Sequence, residues 1–316
     1  MTEQLYGLGA IPSPPDDRDY PIEALYAALN IPVPDPAALP AVFASTPVPP
    51  ILNQGSTPQC VAFSAAGVKD FQDYDDTTPT WYDFDHDLFF NRIGGGPNGA
   101  FLRTAQDQLL KVGYPLVGNA AAAAQHKTSS YFAVPVTVAD IKAAISTFGE
   151  VVFGVTWGNS WFNPNSAGVL PPFDYEAGGH AIRCRGWDDS KGFRLPNSWG
   201  AGWGVNGECY LPYSELSHVF EVWKAADQAV VAPKLHKIIY APGTRTLRVL
   251  VPNSSGACWG GYVDHTGSGP ASYALCTQSY QFPRCNDGTL TTVVKILTGP
   301  YKGKIARPTG PGTSYV

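Results

Sequence analysis

The spacing of apolar residues changes near residue 150, and that change constrains the fold more than any other feature of the chain. In CVAFSAAGVKDF (60–71), Val61, Ala65 and Val68 recur at i, i+4 and i+7, the stripe of a helix buried along one face. FLRTAQDQLLKVGY (101–114) keeps that period, and Gly113 predicts where it ends. VADIKAAISTFG (138–149) is a third amphipathic segment. From Val151 onward, VVFGVTW, HAIRCRGW, GFRLPNSW and ECYLPY are short, β-branched or aromatic, and broken by Gly or Pro, which predicts strands. Helices first and antiparallel strands second is an α+β pattern.

The flanks differ from this middle. Residues 1–50 are Pro-rich, with PSPP at 12–15 and further prolines through Pro50, and read as an extended lead packed on the domain that follows. Residues 51–227 hold the helical and strand-rich halves. Residues 228–316 read as a small all-β module: KIIYAPGTRTLRVLV places a PGT turn between two alternating runs, and TTVVKILTGPYKGKIA repeats that hairpin design. With 316 residues, two domains or one domain with an appendage is the expectation. The 33 glycines and 29 prolines predict a loop-rich and turn-rich chain rather than a helix bundle.

A net charge of −5 without any Lys/Arg cluster argues against a nucleic-acid partner. No apolar run approaches the ~18 residues that span a bilayer, so no membrane partner is expected. The start, MTEQLYGLGAIPSPPDDRDY, lacks the basic and apolar regions of a secretory signal, so synthesis in the cytoplasm is expected. The six cysteines show no CxxC spacing and no paired His, so neither a metal nor a cofactor is expected. Cys258, Cys276 and Cys285 leave room for one disulfide that spacing does not assign.

Chemistry concentrates at three places. In NQGSTPQCVAFS (53–64), Pro58 suits the first position of a helix and Cys60 then falls in the first turn, where unpaired N–H groups stabilise a thiolate. Gln54 can aim an amide N–H at the same point, and with the Cys60 N–H would form an oxyanion hole. His180, in GGHAIRCRGW, is the base candidate. Asn197, in LPNSWGAGWG, follows the next strand; a hairpin of the two strands would bring its carbonyl to the imidazole and fix the tautomer. A lone cysteine is more often a small buried hydrophobe than a nucleophile. Cys184, Cys209 and Trp203 read as core, and DFDHD (83–87) as a solvated acidic helix start, because Leu88 and Gly94 stand where a calcium loop needs Gly and Glu. Trp259, Tyr262, Tyr273 and Tyr280 read as a satellite core rather than a glycan-stacking face.

These blocks resemble the signature blocks of the papain-like cysteine peptidases. Gln54 precedes Cys60 by six residues, Cys60 precedes His180 by 120, and His180 precedes Asn197 by 17, in the family's order. The resemblance runs from about Asp16 to Ala226, and PDDRDY (15–20) and DLFFNRIGG (87–95) are similar to the bacterial branch without a long inhibitory propeptide. It implies a two-lobed fold, a helical lobe facing a β-barrel-like lobe. It implies Cys60 as nucleophile, His180 as general base and then acid, Asn197 as its orienting partner, Gln54 as oxyanion donor and Trp199 as a cover over the His–Asn contact. The chain departs from the family's Cys-Gly-Ser-Cys-Trp at Thr57 and Val61, and zymogen control of the usual kind is not evident. The implied activity is amide hydrolysis on a polypeptide. Peptidoglycan cross-bridges, as for a lysin, are the alternative substrate, and a structural or assembly protein such as a virion component is the alternative role.

Overall fold

The computed structural model describes residues 6–16, 19–74, 80–227, 236–240, 243–252, 258–269, 272–276, 280–297, 301, 304–307 and 313–315. They form two compact units, one drawn from residues 1–14 and 34–230, the other from 15–33 and 231–316. The chain opens with strand β1 (Ala10–Ile11), helix α1 (Ile22–Ala28) and strand β2 (Val42–Ala44). Helices α2 (Cys60–Asp73) and α3 (His86–Arg92), strand β3 (Ala100–Phe101), helix α4 (Leu102–Lys111), strand β4 (Thr128–Ala133) and helix α5 (Val138–Phe148) follow. Beyond residue 150 come β5 (Val151–Gly158), β6 (Glu176–Cys184), β7 (Gly186–Asp188), β8 (Gly192–Pro196), β9 (Glu208–Leu211) and β10 (Val219–Asp227).

In the first unit the change of period is a change of structure. Helix α2 is buried almost throughout its first eleven residues, because its small residues let strand β6 approach. Gly67 makes this contact: a Cβ there would stand 2.4 Å from Arg183 Nε. Arg183 instead lies along the helix and ion-pairs with the fully buried Glu150 at 2.9 Å. Tyr114 stacks flat on Phe89 at 3.9 Å and donates its hydroxyl to Ala62 O, tying α3 to α2. Burying each large apolar side chain in this cluster contributes about 1.5–3 kcal/mol. Asp85 caps α3 by accepting from Leu88 N, so DFDHD is a helix start.

The strands form two antiparallel sheets of four, ordered β4-β10-β5-β6 and β2-β7-β8-β9, and β1 lies parallel to β3. The expected hairpin of the His180 and Asn197 strands is corrected here. His180 is on β6, paired with β5 (His180 opposite Val155), whereas β8, which leads to Asn197, pairs with β7 and β9. Arg185 bridges the sheets, donating its N–H to Arg194 O, so the chain bends from one sheet into the other instead of turning back directly.

The second unit consists of α1 and strands β11 (His236–Tyr240), β12 (Gly243–Pro252), β13 (Trp259–Gly269), β14 (Ser272–Cys276), β15 (Tyr280–Pro283), β16 (Leu290–Lys295), β17 (Ile305–Ala306) and β18 (Thr313–Tyr315). Their sheets run β14-β11-β18 and β13-β12-β17-β16-β15. The second expected hairpin forms, with Val294 opposite Ala306, but the first does not: β11 pairs with β14 and β18, and β12 with β13 and β17. The lead is likewise not uniformly extended. Ile22, Ala24, Leu25 and Tyr26 give α1 a buried stripe, Asn30 at φ 55° follows its end, and residues 15–33 group with the C-terminal strands. A disulfide joins Cys258 to Cys285. Trp259 and Phe282 pack in a small cluster with Leu250 and Val293, while Tyr262 is half exposed under Arg248. The side chains of Tyr273 and Tyr280 lie outside the described residues.

Candidate active site

Cys60 is itself the first residue of α2, with Gln59 as cap and Pro58 one residue further back than the sequence suggests. The Gln59 side chain makes no capping bond, so the first-turn N–H groups stay available to an anion. The N–H groups of Cys60 and Val61 are among those that favour the thiolate, together with Ala181 and Gly9. Burial outweighs them: the thiol is 0% exposed and is pushed up to about 12. Desolvation thus opposes the thiolate that the helix start favours.

His180 is also 0% exposed, and burial drives its pKa down to about 4 against the smaller opposing effect of Asn197. Its Nε2 lies 2.8 Å from Asn197 Oδ1. That oxygen also accepts the N–H of Ser198 at 2.8 Å, which fixes the orientation of the amide. An acceptor opposite Nε2 means Nε2 carries the proton. The neutral ring then has its lone pair on Nδ1, and Nδ1 has no hydrogen-bond partner. Trp199 stacks on the ring at 4.6 Å and Trp157 meets it edge-on at 5.0 Å, so aromatic carbon excludes water from the His–Asn bond.

Cys60 and Ala181, the residue after His180, belong to one buried cluster, and Ser64 of α2 donates to Ala181 O at 2.8 Å. The start of α2 is thus fastened beside the base. No hydrogen bond joins the thiol to the ring.

Gln54, 4% exposed, is held from both ends of its amide. Its Oε1 accepts from Ser198 Oγ at 2.6 Å, which turns Nε2 toward Thr57 O at 2.7 Å and Gly7 O at 3.2 Å. Ser198 and Gly7 were not singled out by sequence reasoning. The signal for Ser198 was its place inside the NSW block; Gly7 had none beyond the spacing of Gly7 and Gly9. Cys184 and Cys209 are fully buried, with burial raising both thiols. Among the described residues, no group of three or more His, Cys, Asp or Glu could hold a metal ion, and no helix is long and apolar enough to cross a membrane.

The architecture has known counterparts. The structure of xylellain, a cysteine protease from Xylella fastidiosa, superposes with a TM-score of 0.58 at 24% identity, covering 72% of this chain and 99% of that one. The fold is papain-like. A procathepsin B from Trypanosoma congolense superposes with a TM-score of 0.56 at 16% identity over 69% of the chain. The sequence model of the papain family of cysteine proteases matches residues 113–219, a segment that contains His180 and Asn197 but not Cys60. Cathepsin B-like cysteine proteinase 4 of Caenorhabditis elegans is 33% identical over 86 residues. An uncharacterized peptidase C1-like protein of Acanthamoeba polyphaga mimivirus is 32% identical over 83. These matches span only 26% and 27% of the two relatives' own lengths. The papain-like helical lobe, with the start of α2, is thus carried by structure more than by sequence likeness.

Proposed function

We propose that the chain is a cysteine endopeptidase that hydrolyses polypeptide amides through Cys60, His180, Asn197 and Gln54. The observation that carries the reading is the His180 ring: Nε2 bound to Asn197 Oδ1 at 2.8 Å, Nδ1 unpartnered, and the cysteine-bearing helix start packed alongside. A buried imidazole with one nitrogen fixed and the other free is arranged to take a proton.

In the proposed reaction His180 Nδ1 takes the Cys60 proton, and the sulfur attacks the substrate carbonyl carbon. The resulting oxyanion is held by Gln54 Nε2 and the Cys60 N–H. The C–N bond breaks, and the amine leaves with the proton from His180. Water then gives a proton to Nδ1 and attacks the thioester; the acid departs and the thiol regains its proton. Asn197 keeps the proton on Nε2 throughout and stabilises the imidazolium. The route needs no metal or cofactor.

Cys60→Ala tests it. Profiling on a peptide library should show cleavage by the native chain and none by the variant, and an epoxide or iodoacetamide probe mapped to residue 60 should vanish. Equal cleavage by both would overturn the assignment.

A further inference from the structure

Charge is unevenly spread along the chain. Residues 231–316 carry nine Lys and Arg against two Asp and Glu, whereas residues 1–230 carry 12 against 24. With residues 15–33 counted, the second unit holds ten bases and six acids, and the first 11 and 20. No run of Lys or Arg marks the basic surplus, because the cations are scattered in sequence and strand pairing gathers them. Val249 lies opposite Ala306, and Arg307 donates its N–H to Arg248 O at 3.2 Å. The two arginines therefore stand side by side across β12 and the end of β17, although 59 positions separate them. Asp264 lies opposite Arg248 on β13. Residues opposite one another in antiparallel strands share a face, so Asp264, Arg248 and Arg307 form a row across three strands.

The members of the row are not equally engaged. Arg248 gives Nε and Nη2 to Asp264 Oδ1 and Oδ2 at 2.9 and 2.8 Å. Arg307 is exposed, and its guanidinium pairs with no acid among the described residues. Tyr262, two residues before Asp264 and so on the same face, has its ring centre 4.0 Å from the Arg248 guanidinium carbon. It is nonetheless 51% exposed, so the guanidinium covers only part of the ring, and Tyr262 is not the core residue that the sequence suggests. Strand β13 is the outer strand of its sheet, and a Cβ on Gly260 would meet nothing within 4 Å, which leaves open space beside the ring.

We propose that this face of the C-terminal sheet binds an acidic polysaccharide, independently of the peptidase site. A sugar ring laid on Tyr262 turns its weakly positive C–H groups to the negative face of the phenol. Asp264 accepts from the sugar hydroxyls. A carboxylate or sulfate of the polymer pairs with Arg307 and with the N–H groups of Arg248 that Asp264 leaves unused. Asp264 selects this class of ligand. A carboxylate in the row repels the closely spaced phosphates of a nucleic acid, whereas a polyhydroxylated chain has donors for it. The row also lacks the Trp, Phe or Leu that would enter a membrane.

The test is retardation of the full-length chain in gels holding polygalacturonate, dextran sulfate or neutral dextran, with oligo-dT and phosphatidylglycerol vesicles as competitors. One or both charged glycans should retard the chain, and the one that does identifies the anion as carboxylate or sulfate. Neutral dextran should not. Retardation should fade as salt rises past about 0.15 M, where charges are screened within about 8 Å. Arg307→Gln, at an exposed side chain with no acid partner to lose, should weaken binding roughly tenfold, and Tyr262→Ala by a similar factor. Lys304→Gln makes the same change of net charge outside the row and should weaken it less than about twofold. Three results would each overturn the proposal: no retardation by either charged glycan, equal losses in Lys304→Gln and Arg307→Gln, or tighter binding of oligo-dT or vesicles than of the glycans.

Discussion

The imidazole side of the site and the thiol side are prepared to different degrees. His180 has its partner, its tautomer and its aromatic cover: Asn197 at 2.8 Å, Trp199 stacked at 4.6 Å and Trp157 edge-on. Cys60 has its helix start but no bond to the ring, and burial holds its proton on. The base is set in the fold's strand-rich half by contacts that nothing needs to move. Burial, more than any partner, sets the state of the nucleophile.

The largest effect that would sharpen this contrast is on the prepared side. Asn197→Ala frees Nε2 and lets the ring adopt either tautomer, so kcat should fall roughly 10³-fold in peptide hydrolysis with KM little changed. A loss below tenfold would mean that the tautomer is not held by this bond.

A second effect appears in stability against pH. Unfolded, the His180 ring takes a proton near its ordinary 6.5; folded, it resists until about 4. The unfolded chain therefore gains protons first as pH falls. This contribution is intact above pH 6.5 and is lost on the way to pH 4, a change of about 3 kcal/mol. Denaturant unfolding at pH 7 and pH 4 should show it, and His180→Gln should flatten that part of the slope. The thiol acts at the other end of the scale: an unfolded cysteine ionises near 9, so stability should also fall as pH rises past that value.

The smallest expected effect is at Ser198. Ser198→Ala removes the hydroxyl that holds Gln54 Oε1 at 2.6 Å, and the amide can then rotate. A loss of about tenfold in kcat is expected, less than removing an oxyanion donor outright. Steady-state kinetics beside Gln54→Ala would rank the two.

Much of the site is legible in the sequence because each part of it is local. Cys60 sits on a helix start that Pro58 announces, His180 on a strand opened by two glycines, and Asn197 beside the Trp that covers the ring. The helices α2, α4 and α5 show because a buried stripe has a period. Pairing is different. That β6 leads into β7 across Arg185, and that β11 seeks β14 rather than β12, depends on partners far along the chain, and no local spacing encodes them. How residues 6–11 of the lead are seated is hidden for the same reason: the residues they pack against, Gly99 and Gly179, are about 90 and 170 positions away. Helix α1 was masked by the prolines around it, which suggested extended chain throughout.

The central claim is that the Cys60 sulfur and the His180 ring act together on a peptide carbonyl. Acid-quenching a reaction of the native chain with a peptide substrate, followed by peptide mapping, tests it directly. The expected result is a thioester-linked acyl fragment on Cys60 that does not form in His180→Gln. Substrate turnover with no acyl adduct on Cys60, or an adduct that accumulates equally without the imidazole, would contradict the account.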